Sequence, residues 1–488
     1  MSSQKDSAGF FQLFPSIVLP MFLAVIDQTI VAAALPAIAG DLGGAERLSW
    51  IVVSYLVAAT IAAPVYGRLG DVFGRRNLMF IALAIFAAGS IACALASSTG
   101  MLAAARILQG AGGGGLMTLS QALVGETIPP RERAYYQGYL ATVAVTASAF
   151  GPVAGGLLTE HLGWRSIFLV NLPTAALAAL LVFRLKRRPV LPQPFRFDLP
   201  GFLLFGIFIA ATLVALERGQ AAVSGAWAMS AGLAVVAFAA LLLLVRQERR
   251  AASPLLPLEL LRNSAIWRCD LMAVCHGATL VSLITFMPLF YRIEHGASAS
   301  RIGLLLLPLT IGIGIGSITT GRLVGRTGRS AIFPSVGLTV VALLLLGASV
   351  FTTTLGAVPT ALLFGLCSLF MGSVMGVVQL TVQMSSGKGL LGSGAATVQF
   401  SRSLGAAFGT AIVSTVLFLS LSASGPETGD AFVRVVQQGA SALDNLPPQA
   451  LAEIGDAFGQ AFSRLFLCTA IFAGIGAAAA WTLPLRRI

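Results

Sequence analysis

Residues 67–76 read Gly67-Arg68-Leu69-Gly70-Asp71-Val72-Phe73-Gly74-Arg75-Arg76, and residues 321–330 read Gly321-Arg322-Leu323-Val324-Gly325-Arg326-Thr327-Gly328-Arg329-Ser330. Both are glycine-bounded basic turns, and each directly follows a long apolar run. A helical membrane span needs about 20 mostly apolar residues. Working outward from the turns, the chain offers fourteen such runs: 13–38, 49–66, 78–97, 101–123, 135–158, 165–183, 199–217, 226–245, 271–290, 302–320, 331–350, 357–383, 397–422 and 463–484. The first basic turn follows span 2 and the second follows span 10. Spans 1–6 and 9–14 thus read as two parallel blocks, with spans 7 and 8 inserted between them. Parallel repeats of this kind mark transporters whose site lies near the midplane between two halves. The expected organisation is a six-helix bundle at 1–188, an inserted pair of spans with its inner linkers at 189–265, and a second six-helix bundle at 266–488.

Composition agrees with an all-α polytopic membrane protein. Of 488 residues, 57% are hydrophobic and 10% are charged, and the mean hydropathy is +0.88. Soluble domains carry about 25% charged residues, so a water-soluble chain is excluded. Unbroken apolarity, without the alternation of lipid-facing strands, excludes a β-barrel. The net charge of +12 would suggest nucleic acid in a soluble protein, but here the basic residues occupy short loops between spans. With the N-terminus inside, 23 of the 31 Lys and Arg fall on the inner side and seven on the outer, leaving Arg106 within a span. That asymmetry predicts a multi-pass protein of the cytoplasmic (inner) membrane with both termini cytoplasmic. The connection 423–462 then lies outside. Its acidic composition and the helix-like spacing at 430–441 and 449–462 predict two amphipathic helices at the outer surface.

The five cysteines form no CxxC and no disulfide framework. Three dispersed histidines give no metal-ligand spacing and no catalytic triad, so neither a metal, a cofactor nor an enzymatic activity is expected. Gly112-Gly113-Gly114-Gly115 follows no strand and is not a phosphate loop.

Charges inside spans are few, and a lone one is costly there. Asp27 lies in span 1, about 22 Å from the inner edge at 1.5 Å per residue. Arg106 lies in span 4, about 8 Å from the outer edge of a core about 30 Å thick. The two reach similar depths and are candidates to face one polar cavity or to pair. Asp27 then reads either as a proton carrier at a substrate site or as half of a permanent ion pair that holds spans 1 and 4 together. His276, in the inner third of span 9, is a secondary coupling candidate, or else a hydrogen-bonded interface residue. In span 5, Ala147, Gly151 and Gly155 recur every four positions around Pro152, which permits close helix contact and suggests a pivot. Asp71 with Arg68, Arg75 and Arg76 can form a charge network at the inner ends of the spans, a latch that breaks when the conformation changes.

Together these segments resemble the major facilitator superfamily, and within it the fourteen-span drug:proton antiporter branch. Gly67 to Arg76 is similar to the loop 2–3 motif, with Asp71, Gly74 and Arg75 in place. Arg106, Gln109 and Gly110 resemble the span-4 motif linked with proton coupling. Gly151-Pro152-Val153-Ala154-Gly155-Gly156 is similar to the antiporter motif. Asp27-Gln28-Thr29-Ile30-Val31 and Trp164-Arg165-Ser166-Ile167-Phe168, with Asn171 and Pro173, resemble segments of the fourteen-span branch. The departures are Ala32 for the usual asparagine, Ala147 for the leading glycine of the antiporter motif, and Gly325 where the second turn would carry its acid. The resemblance implies alternating-access export of lipophilic or cationic drugs driven by inward proton movement. In a source with two membranes it also makes a membrane-fusion adaptor protein a candidate partner. A dedicated proton-coupled exporter of one metabolite, such as an amino acid or siderophore, is the alternative on the same fold. Asp27 is the only acid expected well inside a span, which favours monovalent or neutral lipophilic substrates over multivalent cations.

Overall fold

In lipid, each backbone N–H and C=O must be satisfied within its own segment, so long apolar runs become helices. The computed structural model describes residues 2–43, 48–185, 196–220, 227–251, 253–255, 258–351, 354–387, 389–424 and 448–487, and these are helical almost throughout. Among them there is no strand, only an isolated bridge between Arg329 and Arg487. The helices are α1 (Ser2–Leu42), α2 (Leu48–Phe73), α3 (Arg75–Ala94), α4 (Thr99–Thr127), α5 (Pro130–Leu162), α6 (Ser166–Leu169), α7 (Asn171–Val182), α8 (Leu199–Gln220), α9 (Trp227–Glu248), α10 (Leu258–Arg262), α11 (Ser264–His295), α12 (Ala299–Thr327), α13 (Ile332–Phe351), α14 (Ala357–Ser385), α15 (Leu391–Ser424) and α16 (Pro448–Trp481).

Twelve of these helices are long and apolar enough to cross a membrane. The other two expected spans, 101–123 and 165–183, are helical but differ in kind. In α4 the glycines, Arg106 and Gln109 dilute the apolar content, because this helix is buried among protein neighbours rather than exposed to lipid. The sixth span is the short α6 followed by α7, which together make the shorter apolar stretch Ser166–Val182. Of the two helices expected at the outer surface, 430–441 lies outside the described residues. The segment 449–462 is helical but runs without a break into the last span as part of α16, which corrects its reading as a separate surface helix. A second correction concerns acids within helices. Asp270 lies inside α11, which starts at Ser264 rather than 271, and it is buried, so Asp27 is not alone.

Contacts divide the chain into two compact units. Unit 1 comprises Met1–Val214, Leu233–Ile266 and Gln379–Phe400, and unit 2 the remainder. Within unit 1, α1 packs on α5 and α2 on α4. Close approach of α2 and α4 depends on glycine: a Cβ at Gly114 would strike the Ala59 carbonyl. Unit 2 repeats the pairing. A Cβ at Gly405 of α15 would strike the Val274 carbonyl of α11, and one at Gly316 of α12 the Leu369 carbonyl of α14. The two basic turns share a positive φ at the same place, though they differ in ψ (130° at Gly74, −1° at Gly328). Gly74 (φ 88°) and Gly328 (φ 67°), each the eighth residue of its ten, hold a left-handed backbone that favours glycine.

Candidate functional site

Unit 1 has two apolar clusters stacked along its helices. One takes Leu23 and Ala24 from α1, Phe86 from α3, Leu116 from α4 and Ala175 from α7. The other takes Ile30 from α1, Cys93 from α3, Leu102 and Ala105 from α4, and Phe168 from α6. Between them α1, α3 and α7 each place one polar residue and α4 places two, and the five meet. Arg106 donates from Nη1 to Asp27 Oδ2 (2.6 Å) and to Gln109 Oε1 (2.6 Å). Asp27 Oδ1 accepts from Gln109 Nε2 (2.8 Å) and Asn171 Nδ2 (2.6 Å). Ser90 Oγ accepts from the same two amides at 2.8 and 3.3 Å. Arg106 Nε reaches the Ile51 carbonyl (3.3 Å), and its guanidinium lies 4.1 Å from the centre of the Tyr55 ring. Tyr55 in turn donates to the Ala24 carbonyl (3.1 Å).

Asp27, Ser90 and Gln109 are fully buried, Arg106 is 1% exposed and Asn171 2%. A carboxyl group with three donors and an arginine over an aromatic face makes a saturated network, as buried polar groups require. Of the two arrangements left open for Asp27 and Arg106, a shared cavity or a pair, the structure has the pair, with Gln109 as a third member. Sequence reasoning gave no role to Ser90, Tyr55 or Asn171. Asn171 stands out in the sequence only within a segment that resembles the fourteen-span branch, and nothing in a helical sequence fixes which small polar residues turn toward a given charge.

The span-5 stripe bears on the same place. A Cβ at Gly151 would overlap the Thr29 side chain, and one at Gly155 the Ile30 carbonyl, both within a turn of Asp27. Ala147 is buried alongside, and its carbonyl lies 3.5 Å from Thr29 Oγ1. Gly156 meets nothing within 4 Å and Pro152 is exposed, so the motif divides into contact-making and free positions. Gly110 faces the Tyr55 carbonyl, which keeps Arg106 and Gln109 close to α2.

At one end of unit 1, Asp71 accepts from the backbone N–H of Gly392 (2.8 Å) and of Ser393 (2.9 Å), and from Ser393 Oγ (3.0 Å). These amides open α15, so the carboxylate caps a helix N-terminus and complements its dipole. Arg75 bridges Asp71 and Glu126. A Cβ at Gly67 would meet the Gly392 carbonyl, so the turn and the start of α15 lie in direct contact. Arg76 stays out of this network. It points to the Val182 and Phe183 carbonyls at the end of α7 (3.4 Å each) and lies over the rings of Phe80 and Phe183. The expected latch residues thus separate into a carboxylate centre (Asp71, Arg75, with Glu126) and a helix-end anchor (Arg76).

We expect Asp71→Asn to loosen this cap. The amide keeps the size of the side chain but loses the charge that holds two N–H groups and a guanidinium, bonds worth about 1.5–3 kcal/mol each. A cysteine at the buried Thr397 should then react with a maleimide about tenfold faster or more in the Asp71→Asn background. Equal rates would show that the cap holds nothing in place.

At the other end, Arg165 and Trp164 both donate to Asp41 (2.7 and 2.9 Å). That pair is half exposed and contributes little. His276 is buried in unit 2 against the Met371 carbonyl and near Arg402, with Nδ1 unpartnered, and takes no part in the Asp27 network. Among the described residues no group of three metal-ligating side chains forms.

Residues 17–410 match the sequence model described as the Major Facilitator Superfamily. An uncharacterized MFS-type transporter of Mycobacterium tuberculosis is 33% identical over 468 residues, which is 95% of this chain and 68% of that protein. The multidrug transporter protein MdtP of Bacillus subtilis is 32% identical over 455 residues, 92% of this chain and 81% of its own. Among solved structures, the proton:xylose symporter XylE superposes with a TM-score of 0.64 at 14% identity, covering 98% of this chain and 97% of that one. This last likeness is one of fold.

Proposed function

The chain belongs to the major facilitator superfamily of membrane transporters, and we propose that it exports lipophilic or cationic compounds across the cytoplasmic membrane by proton-coupled alternating access. The observation that carries this reading is the sealed network of Asp27, Arg106, Gln109, Asn171 and Ser90. It encloses a carboxylate among helices that have to rearrange in alternating access, and a proton site of that kind is what coupling requires.

In this reading a proton arriving at Asp27 removes the negative charge that Arg106 faces. The Arg106 guanidinium then turns to the Gln109 and Ile51 oxygens it already touches. α1 moves against α5 across the close Gly151 and Gly155 contacts, and Asp71 releases the start of α15 as the state changes. Loss of the proton on the opposite side resets the network. The name of MdtP, a multidrug transporter, supports drug-like substrates, and both termini are assigned to the cytoplasm by the distribution of basic residues. Asp71, Gly74, Arg75 and Arg76 act in this scheme as state-setting residues, and Gly151 and Gly155 as the bearing.

The substrate class is tested in everted membrane vesicles energised with a proton gradient. Ethidium uptake should be inhibited by several structurally unrelated monovalent lipophilic cations. Inhibition by one amino acid or siderophore alone would show instead a dedicated metabolite exporter.

A further inference from the structure

The two basic turns differ in how their ninth residue is neutralised. In the first turn Arg75 is held by Asp71 and Glu126. In the second turn the equivalent residue is Arg329, and the position of the acid is Gly325. Among the described residues no carboxylate pairs with Arg329. The fold adds positive charge instead. The segment after α16 turns back onto the α12–α13 turn, where the Ser330 N–H donates to the Arg486 carbonyl (3.2 Å) and Arg329 forms an antiparallel bridge with Arg487. Like charges set opposite one another across such a bridge are destabilising.

Beside this bridge lies a cavity of about 250 Å³ in unit 2, lined by Arg329, Arg486, Arg487, Ser335, Ile332 and Trp481 among others, with no acid in its wall. It sits where the spans Arg301–Thr327, Ile332–Phe351 and Ala457–Trp481 end. Its two large apolar members are half exposed, Trp481 by 50% and Ile332 by 41%. Trp481 is held in place by a hydrogen bond from its Nε1 to Thr339 Oγ1 (3.1 Å). Tryptophan and arginine at a span end are the residues that face lipid headgroups, and basic pockets between spans accept anionic ones.

We propose that this cavity binds the phosphate headgroup of an anionic membrane lipid, with Arg329 and Arg487 as the phosphate contacts and with Trp481 and Ile332 against the start of the acyl chains. The lipid supplies from outside the negative charge that Asp71 and Glu126 supply in the first turn.

The test uses the full-length protein in a neutral detergent, analysed by native mass spectrometry during titration with phosphatidylglycerol, phosphatidylcholine or inorganic phosphate. Wild type should retain phosphatidylglycerol. The Arg329→Ala/Arg487→Ala protein should bind it about tenfold more weakly or worse, since each basic group near an anionic surface is worth about a fivefold factor. Arg329→Lys/Arg487→Lys, which keeps the charge, should bind nearly as wild type and serves as the check on folding. Three results would overturn the proposal: equal retention of phosphatidylglycerol by the alanine variant, equal retention of phosphatidylcholine, or preference for inorganic phosphate over the lipid.

Discussion

Arg106→Ala is expected to leave little folded protein in the membrane, whereas Asp27→Asn/Arg106→Gln is expected to fold and fail to transport. Removing Arg106 alone strands the Asp27 carboxylate in a site with no exposed surface. Breaking a buried pair from one side costs about 3–5 kcal/mol, a large part of the stability of a typical domain. The double variant removes both charges and keeps polar groups of similar size for Gln109, Asn171 and Ser90 to meet. Its stability should therefore exceed that of the single Arg106→Gln variant, a coupling that a double-mutant cycle over Asp27→Asn, Arg106→Gln and the two together, followed by thermal melts in detergent, would read directly. Additive losses would mean that the two side chains do not depend on each other.

The second large effect lies in α5, where two adjacent glycines of one motif are expected to behave oppositely. At Gly155 an added Cβ would press on the Ile30 carbonyl of α1, with no flexible side chain to yield. Overpacking of this kind costs about 1–3 kcal/mol, and here it would push α1 away from α5 next to Asp27. At Gly156 the same methyl meets open space, and the backbone is ordinary helix. Gly155→Ala should therefore lower transport about tenfold or more with the protein still present in the membrane, while Gly156→Ala should transport as wild type. Equal losses at both positions would mean that the motif acts through something other than the α1–α5 contact. Equal tolerance would remove the bearing from the mechanism.

The charged half of the site was legible in the sequence for a physical reason. Lipid penalises charge, so Asp27 and Arg106 stand out against apolar spans, and the fixed rise of a helix places both at one depth. The turn Gly67–Arg76 and its partner at 321–330 were legible because a left-handed glycine and a cluster of arginines leave marks in composition as well as in conformation. What the sequence hides is the partner of each group. Asp71 is capped by backbone N–H groups of Gly392 and Ser393, more than 300 residues away, and every residue but proline carries such a group. Ser90 and Asn171 are small polar residues of a kind common in membrane helices, and only packing turned them toward Asp27. Span limits were blurred for a related reason. α11 and α16 continue as helices past the apolar core, which brings Asp270 into one helix and the expected surface segment 449–462 into the other.

The central claim, that Asp27 carries the coupled proton, is tested most directly in proteoliposomes holding a pH-sensitive dye. A proton gradient is imposed, ethidium is added, and substrate-dependent proton flux is compared at matched protein levels between wild type and Asp27→Asn/Arg106→Gln, the variant that leaves neither buried charge unpaired. The account predicts flux in wild type that the variant lacks. Equal substrate-dependent flux in both would contradict it and leave the Asp27–Arg106 pair as a structural tie between α1 and α4.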